Sequence, residues 1–161
     1  MEILNLEDND ITECLDIYNY YIKNTVFTLE EEELDLQNFK KRCAVIRDDF
    51  PFIVIKDDDK VVGYAYLNYF NTRGAYKISA DLSIYVSQNY TKRHIGKILL
   101  DEITKLARAK GTKNIISIIT SENNASVAFH EKNGFIMEGF LKDVANKFNR
   151  SISIYYYRLA I

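Results

Sequence analysis

The sequence predicts an α/β fold in which a mixed sheet of about seven strands is flanked by about four helices. Strand-type and helix-type apolar patterns follow one another along the chain in the order β-α-α-β-β-β-α-β-α-β-β. The chain has 161 residues, 47% of them hydrophobic, which is enough to bury one sizeable core. Because the sequence shows no linker and no repeat, we expect residues 1–161 to form a single domain.

The first part of the chain predicts a short strand followed by two helices. Asp10 and Glu13 have the spacing of a capping box, and apolar residues follow them at helical spacing. A second helix is predicted over residues 36–46. Cys14 and Cys43 lie on the two apolar stripes and lack the spacing of metal ligands, so we expect them to pack in the core and expect no metal site.

Three strands are expected in the middle of the chain. Residues 52–56 (FIVIK) follow Pro51, and the turn sequence DDDK leads into a longer strand from 61 to about 69. Residues 76–86 (YKISADLSIYV) are rich in strand-forming side chains.

The last part of the chain predicts two helices and three strands. A long apolar stripe begins at Ile95 and ends before Gly111, which suits a helix C-terminus. Residues 114–120 (NIISIIT) are typical of a buried strand. The remaining predicted elements are a helix at roughly 125–132 and strands at 135–140 and 151–160.

Charge and hydropathy exclude several functional classes. The chain has 21 basic and 23 acidic residues and a net charge of -2, whereas nucleic-acid binders usually carry a basic excess. No apolar run approaches the roughly 20 residues that span a bilayer, and the N-terminus has no signal-peptide core. We therefore expect a cytoplasmic protein that binds neither nucleic acid nor membrane.

The segment NYTKRHIGKILL, residues 89–100, suggests an anion site. It joins a strand to a helix, and the first turn of a helix offers unpaired N–H groups and a favourable dipole. Lys92, Arg93 and Lys97 add positive charge, and Gly96 would let a phosphate approach the backbone. The alternative is a plain turn into a helix.

A second motif gives this segment a context. The sequence RHIGKILL, followed by a strand and then by SENNASVAFHEKNGF, resembles the GNAT superfamily of N-acetyltransferases. The segments IYNYYIKNTVFTLE, VVGYAYLNYFNTRGAY, HEKNGF and VANKFNR are similar to those of its phosphinothricin-type acetyltransferases. This resemblance extends from residue 17 to about residue 150 and implies the GNAT fold, in which the mixed central sheet is mostly antiparallel.

The resemblance also implies a reaction. Acetyl would pass from acetyl-CoA, the cosubstrate, to the primary amine of a small amino-acid-like acceptor of the phosphinothricin or methionine sulfone/sulfoximine type. Two alternatives stay open. The acceptor could be another small amine or a peptide N-terminus, or the chain could be a CoA-binding module without catalysis. The resembled family is commonly dimeric, so we expect a homodimer.

Cosubstrate-binding residues follow from the same resemblance. The loop before the third helix would hold the diphosphate, and the backbone after the centre of the long strand would pair with the pantetheine arm. Asn123 would contact the cosubstrate, cap its own helix, or do both. The loop residues are Lys92, Arg93, His94, Ile95, Gly96 and Lys97, and the strand residues are Ile84, Tyr85 and Val86.

Two residues are expected to take part in catalysis. Asp81 stands where the family usually has a glutamate and would accept the amine proton, with a water relay able to compensate for its shorter side chain. A backbone N–H near Val86 would stabilise the developing oxyanion. His130 would give a proton to the leaving thiolate, or would simply pack its helix against the sheet.

Three further residues are expected to face the acceptor. Arg73 and Tyr76 match acceptor-facing positions, and an arginine binds a carboxylate or phosphinate through two hydrogen bonds. The alternative for Arg73 is an exposed loop charge. Thr28 would line the same pocket.

His94 departs from the family pattern [QR]-x-x-G-x-[GA] by replacing its first glycine. We expect a negative φ at His94, with its ring turned away from the anion. A positive φ would instead strain the backbone by about 1 kcal/mol or more.

Overall fold

One seven-stranded sheet organises the protein, whose computed structural model describes residues 1–91 and 93–161. The strand order is β1-β2-β3-β4-β5-β7-β6. The strands are β1 (Glu2–Asn5), β2 (Phe52–Asp57), β3 (Lys60–Tyr69), β4 (Ser79–Val86), β5 (Asn114–Thr120), β6 (Ile136–Lys147) and β7 (Arg150–Ala160). The helices are α1 (Ile11–Asn24), α2 (Leu36–Asp49), α3 (Ile95–Ala109) and α4 (Asn124–Lys132). The predicted fold class and element order are confirmed.

The β4–β5 pair creates the main irregularity of the sheet. It is parallel, whereas the other neighbouring strands are antiparallel. Pairing runs only from Ser79 opposite Asn114 to Asp81 opposite Ile116. Beyond that point, which we call the fork, β4 continues to Val86 and β5 to Thr120 without pairing to each other.

Helices cover both faces of the sheet. The core under α3 contains Leu99 and Ile103, and the core under α1 and α2 contains Ile22 and Phe39. Gly63 on β3 lets α3 pack closely on the sheet, because a Cβ at this position would lie 3.0 Å from Cγ2 of Ile95 and 3.1 Å from the carbonyl oxygen of Tyr85.

Both cysteines lie in the core beneath α1 and α2, as predicted, and their thiols are free. Burial raises the pKa of Cys14 and raises that of Cys43 to about 11. Both thiols therefore stay protonated and behave as small apolar groups.

Two local predictions were wrong. Strand β4 begins at Ser79, because the partner strand β5 begins opposite it, and Gly74–Ile78 form a 3-10 helix. The expected capping box is also absent, since the carboxylate of Glu13 accepts a hydrogen bond from the backbone N–H of Val61 at 2.7 Å. Asp10 instead pairs with Lys56 at 2.6 Å.

Within the described ranges, no helix combines the length and the apolar character needed to cross a membrane.

Candidate active site

A cleft of about 900 Å³ opens where β4 and β5 separate. Its walls come from β4, β5, α3 and α4, and Tyr21 and Phe27 complete one side. Many of the residues predicted from the sequence line this cleft, although they are far apart along the chain. They are Ile84, Tyr85, Val86, His94, Ile95, Gly96, Lys97, Asn123 and His130.

The backbone of β4 presents hydrogen-bonding groups to the cleft. Ser87 donates its N–H to the carbonyl oxygen of Val62 at 2.9 Å, which sets the alternation along the antiparallel β3–β4 pair. The N–H and C=O groups of Ile84 and Val86 therefore turn away from β3 and toward the cleft. The hydroxyl of Tyr21 donates to the Val86 carbonyl at 2.6 Å, so the N–H of Val86 is the group that this bond leaves free.

The start of α3 forms one end of the cleft. Its N-cap, His94, has φ 61° and ψ 9°, so the expected negative φ was wrong. The carbonyl of His94 accepts from the N–H of Ile98 at 3.1 Å, which shows that the helix begins directly after this left-handed residue. The chain enters α3 through this left-handed residue, and His94 carries the backbone strain expected for a positive φ.

Gly96, in the first turn of α3, faces both the cleft and α4. A Cβ at this position would lie 3.5 Å from Cε2 of Phe129, which is an ordinary contact. Packing within the protein therefore does not require a glycine here. The missing side chain instead leaves the backbone N–H groups of the first turn open to an approaching ligand.

The basic residues near this turn are partly engaged with neighbouring side chains. The ammonium of Lys97 pairs with the carboxylate of Asp101 one turn later. The guanidinium carbon of Arg93 lies 4.8 Å from the ring centre of Tyr90, in a cation–π contact. Lys92 lies outside the described residues.

Asp81 sits at the fork, opposite Ile116 on β5 and Asn68 on β3. Its Oδ1 is buried and has no hydrogen-bond partner among residues 1–91 and 93–161. Burial raises the pKa of the Asp81 carboxyl to about 7, and the nearby N–H of Leu82 opposes this shift. A carboxyl that ionises near neutral pH can take up and release a proton during a reaction.

His130 is buried on α4, and its ring packs edge-on at 4.7 Å against Phe135. Its Nδ1 lies 2.8 Å from the carbonyl oxygen of Ser126. Because a carbonyl only accepts, Nδ1 carries the proton and Nε2 of the neutral ring carries a lone pair. Burial lowers the pKa of His130, so the neutral form is favoured. This geometry fits the packing alternative, and proton donation to the leaving thiolate stays a prediction.

Asn123 caps α4. Its Oδ1 accepts from the N–H of Ser126 at 3.2 Å, and the residue also lines the cleft. The capping alternative is confirmed. Contact with the cosubstrate stays a prediction.

The residues predicted to face the acceptor lie apart from the cleft lining. Thr28 is buried, with its hydroxyl 3.1 Å from that of Tyr18, and its carbonyl accepts from Nζ of Lys147 at 2.8 Å. Arg73 and Tyr76 are exposed at the 3-10 segment before β4. Their role toward an acceptor stays a prediction.

Several residues of the cleft were missed at the sequence level. Tyr21, Phe27, Tyr90 and Ser117 line it. For Ser117 an indication was present, because it is the one polar residue within the apolar run of residues 115–119. The local sequence does not indicate that the three aromatic residues line a cleft, since aromatic residues at such positions usually pack in the core.

Comparisons with known proteins agree with this geometry. The model of the acetyltransferase (GNAT) domain family matches residues 3–154. The chain belongs to the GNAT acetyltransferase family. It is 31% identical to a phosphinothricin N-acetyltransferase of Alcaligenes faecalis, over 91% of this chain and 76% of that one. It is 29% identical to an L-methionine sulfoximine/L-methionine sulfone acetyltransferase of Pseudomonas aeruginosa, over 93% and 88% of the two chains.

Solved structures of this family have the same fold. A ribosomal-protein-alanine N-acetyltransferase from Brucella melitensis superposes with a TM-score of 0.96 at 32% identity, covering 100% of both chains. A GNAT phosphinothricin acetyltransferase from Sinorhizobium meliloti in complex with acetyl-CoA gives 0.95 at 28% identity, covering 99% of this chain and 88% of that one. The family, fold and enzyme class predicted from the sequence are therefore confirmed.

Proposed function

We propose that this GNAT protein transfers acetyl from acetyl-CoA to the primary amine of a small amino-acid-like acceptor. The observation that carries the proposal is the position of Asp81. The Asp81 carboxyl, whose Oδ1 is buried and whose pKa is raised to about 7, stands at the fork from which the cleft opens.

The described residues fit acetyl-CoA. The free N–H groups in the first turn of α3, next to Gly96, would hold the diphosphate. The cleft-facing backbone groups of Ile84 and Val86 would pair with the pantetheine arm as a strand edge pairs with a peptide. Asn123 lies beside this path. When bound, acetyl-CoA supplies the thioester that the amine attacks.

Asp81 would act as the general base. An ammonium has no lone pair, so the acceptor must lose a proton before attack. The ionised carboxylate can accept that proton, directly or through a water that spans the missing methylene. The oxygen on which negative charge develops also needs a donor. The cleft-facing N–H of Ile84 would supply it, because it lies closer to the fork than the N–H of Val86. The Tyr21 hydroxyl holds the Val86–Ser87 peptide by donating to its carbonyl.

The acceptor class rests on the relatives. Phosphinothricin, methionine sulfoximine and methionine sulfone are named for proteins about 30% identical to this chain, and all three are amino acids with a polar tetrahedral group. We propose that Arg73 and Tyr76 bind this group and that Thr28 lines the same pocket. Arg73 is suited to an anionic side chain because its guanidinium donates two parallel hydrogen bonds.

The test is turnover of acetyl-CoA, measured as thiol release, with a panel of phosphinothricin, methionine sulfoximine, methionine sulfone, other amino acids and small amines. Acetylation of the amino-acid analogues, identified by mass spectrometry, is the expected result. If acetyl-CoA binds tightly but no amine in the panel is acetylated, the protein is a CoA-binding module and the proposal fails.

A peptide N-terminus is the second candidate acceptor. It is favoured by the likeness to the ribosomal-protein-alanine N-acetyltransferase structure. Peptides that begin with alanine therefore belong in the same panel. Faster turnover of such peptides than of free amino acids would select this alternative.

We further propose a cytoplasmic, single-domain protein that forms a homodimer. Support for the homodimer comes from β6, which lies at one edge of the sheet and exposes several large apolar side chains. They are Ile136, Met137, Phe140, Leu141 and Val144. Light scattering after size-exclusion chromatography tests this, and a monomer at micromolar concentration would contradict it.

A further inference from the structure

Ser117 carries a buried hydroxyl that the protein itself does not use. The residue is 2% exposed, and its Oγ has no hydrogen-bond partner in the part of the chain that the structure describes. Burial of an unpaired hydroxyl is unfavourable. The side chain lines the β4–β5 cleft, so a ligand in the cleft can supply the missing partner.

The position of Ser117 places this hydroxyl at the reacting end of the cleft. Ser117 follows Ile116, which pairs with Asp81 at the fork. Its side chain shares a face of the sheet with Ile115 and Ile119. Asp81 points to the opposite face from its neighbours Ala80 and Leu82, which belong to the same core as those isoleucines. The base and the hydroxyl thus flank the fork from opposite faces.

We propose that the Ser117 hydroxyl donates a hydrogen bond to the sulfur of CoA as the thioester breaks, an inference that rests on the proposed acetyl transfer. A ligand that enters beside the first turn of α3 and follows β4 from Val86 to Leu82 advances by about 13 Å. Its far end then reaches the fork, where Ser117 lies. A donor aimed at developing charge in a water-poor site stabilises that charge strongly.

The step is balanced without a further reactant. The amine nitrogen forms a bond to the acetyl carbon, the C–S bond breaks, and its electron pair stays on sulfur. Asp81 takes one proton from the acceptor ammonium before the attack, and the second proton, which the nitrogen loses as the amide forms, goes to solvent water. Ser117 keeps its proton and stabilises the thiolate by hydrogen bonding. His130 does not offer this contact in its neutral form, because its protonated Nδ1 is bound to the Ser126 carbonyl.

Two measurements on Ser117→Ala test the proposal. Loss of a hydrogen bond to a charged group should lower kcat roughly tenfold to a hundredfold, with an unchanged KM for the acceptor. Calorimetry at about pH 9, where much of a free thiol is ionised, should show CoA binding weakened roughly tenfold. Binding of desulfo-CoA, which lacks the sulfur, should not change.

Thr120→Val is the matched control. Thr120 lies on the same strand and also has a buried hydroxyl without a partner among the described residues, but it does not line the cleft. This variant should match the wild type in both assays. Ser117→Thr keeps a hydroxyl and should retain the preference for CoA over desulfo-CoA, which separates loss of the donor from a packing defect.

Equal binding losses for CoA and desulfo-CoA in Ser117→Ala, or an unchanged kcat, would overturn the role of Ser117. A wild-type protein that binds CoA but acetylates no amine would instead defeat the proposed function. In that case the comparison of CoA with desulfo-CoA still decides whether Ser117 contacts the sulfur.

Discussion

Replacing Asp81 with asparagine should lower activity and raise stability at the same time. The folded protein raises the pKa of this carboxyl from 3.8 to about 7, mainly through burial. Such a rise corresponds to about 4 kcal/mol of preference for the neutral form. An asparagine side chain is neutral at every pH, so Asp81→Asn removes the cost of burying the charge.

The size of this effect depends on pH. In the unfolded chain the carboxyl ionises above its ordinary value of 3.8, whereas in the folded protein it stays neutral up to about pH 7. Wild-type stability therefore falls as the pH rises through this window. Between about pH 5 and about pH 8.5 the loss from this group is about 2.5 kcal/mol, and Asp81→Asn should lack it.

Two assays measure the two consequences. Urea unfolding at both pH values should show the Asp81→Asn variant gaining about 2.5 kcal/mol on the wild type as the pH rises. Wild-type kcat should rise with pH to a plateau above about pH 7, because the base must be ionised. The variant should lose roughly a hundredfold or more in kcat and show no such rise.

Asp59→Asn is the control, because it removes an exposed carboxylate from the turn between β2 and β3. It should leave kcat and its pH profile unchanged. If the free energy of unfolding depends on pH in the same way in the wild type and in Asp81→Asn, the raised pKa of the Asp81 carboxyl is refuted. An unchanged rate would remove Asp81 from the mechanism.

Three further substitutions test the packing of α3, the diphosphate loop and the acceptor side. Gly63→Ala should destabilise the protein by about 1–3 kcal/mol in urea unfolding, because its Cβ would crowd Ile95 and the Tyr85 carbonyl; Gly74→Ala, which meets nothing within 4 Å, should be neutral. His94→Gly should raise stability by about 1 kcal/mol by relieving the positive φ, whereas His94→Ala should not; a large gain in acetyl-CoA affinity for the glycine variant would show that the histidine hinders the loop. Arg73→Ala should raise KM roughly tenfold for anionic acceptors and leave KM for acetyl-CoA unchanged; equal effects on both would exclude Arg73 from the acceptor site.

The sequence predicted the order of the elements because each one carries its own period and its own end markers. The stripe that begins at Ile95 became α3, and Gly111 follows its end with φ 83°. The composition of the residues around Tyr76 predicts a strand. Gly74–Ile78 form a 3-10 helix instead, because the pairing of β4 with β5 begins only at Ser79, opposite Asn114.

The sequence by itself therefore determined the α/β class, the family and nine of the residues that line the cleft, since local periodicity and short motifs are encoded by neighbouring residues. Only the tertiary structure decided what depends on residues distant in sequence. It alone showed that β4 and β5 separate beyond Asp81 and Ile116, that burial raises the carboxyl pKa there, and that His94 adopts a positive φ. The role inferred for the Ser117 hydroxyl also depends on the tertiary structure. Its burial and its place at the fork arise from the packing of strands, which the local sequence does not predict.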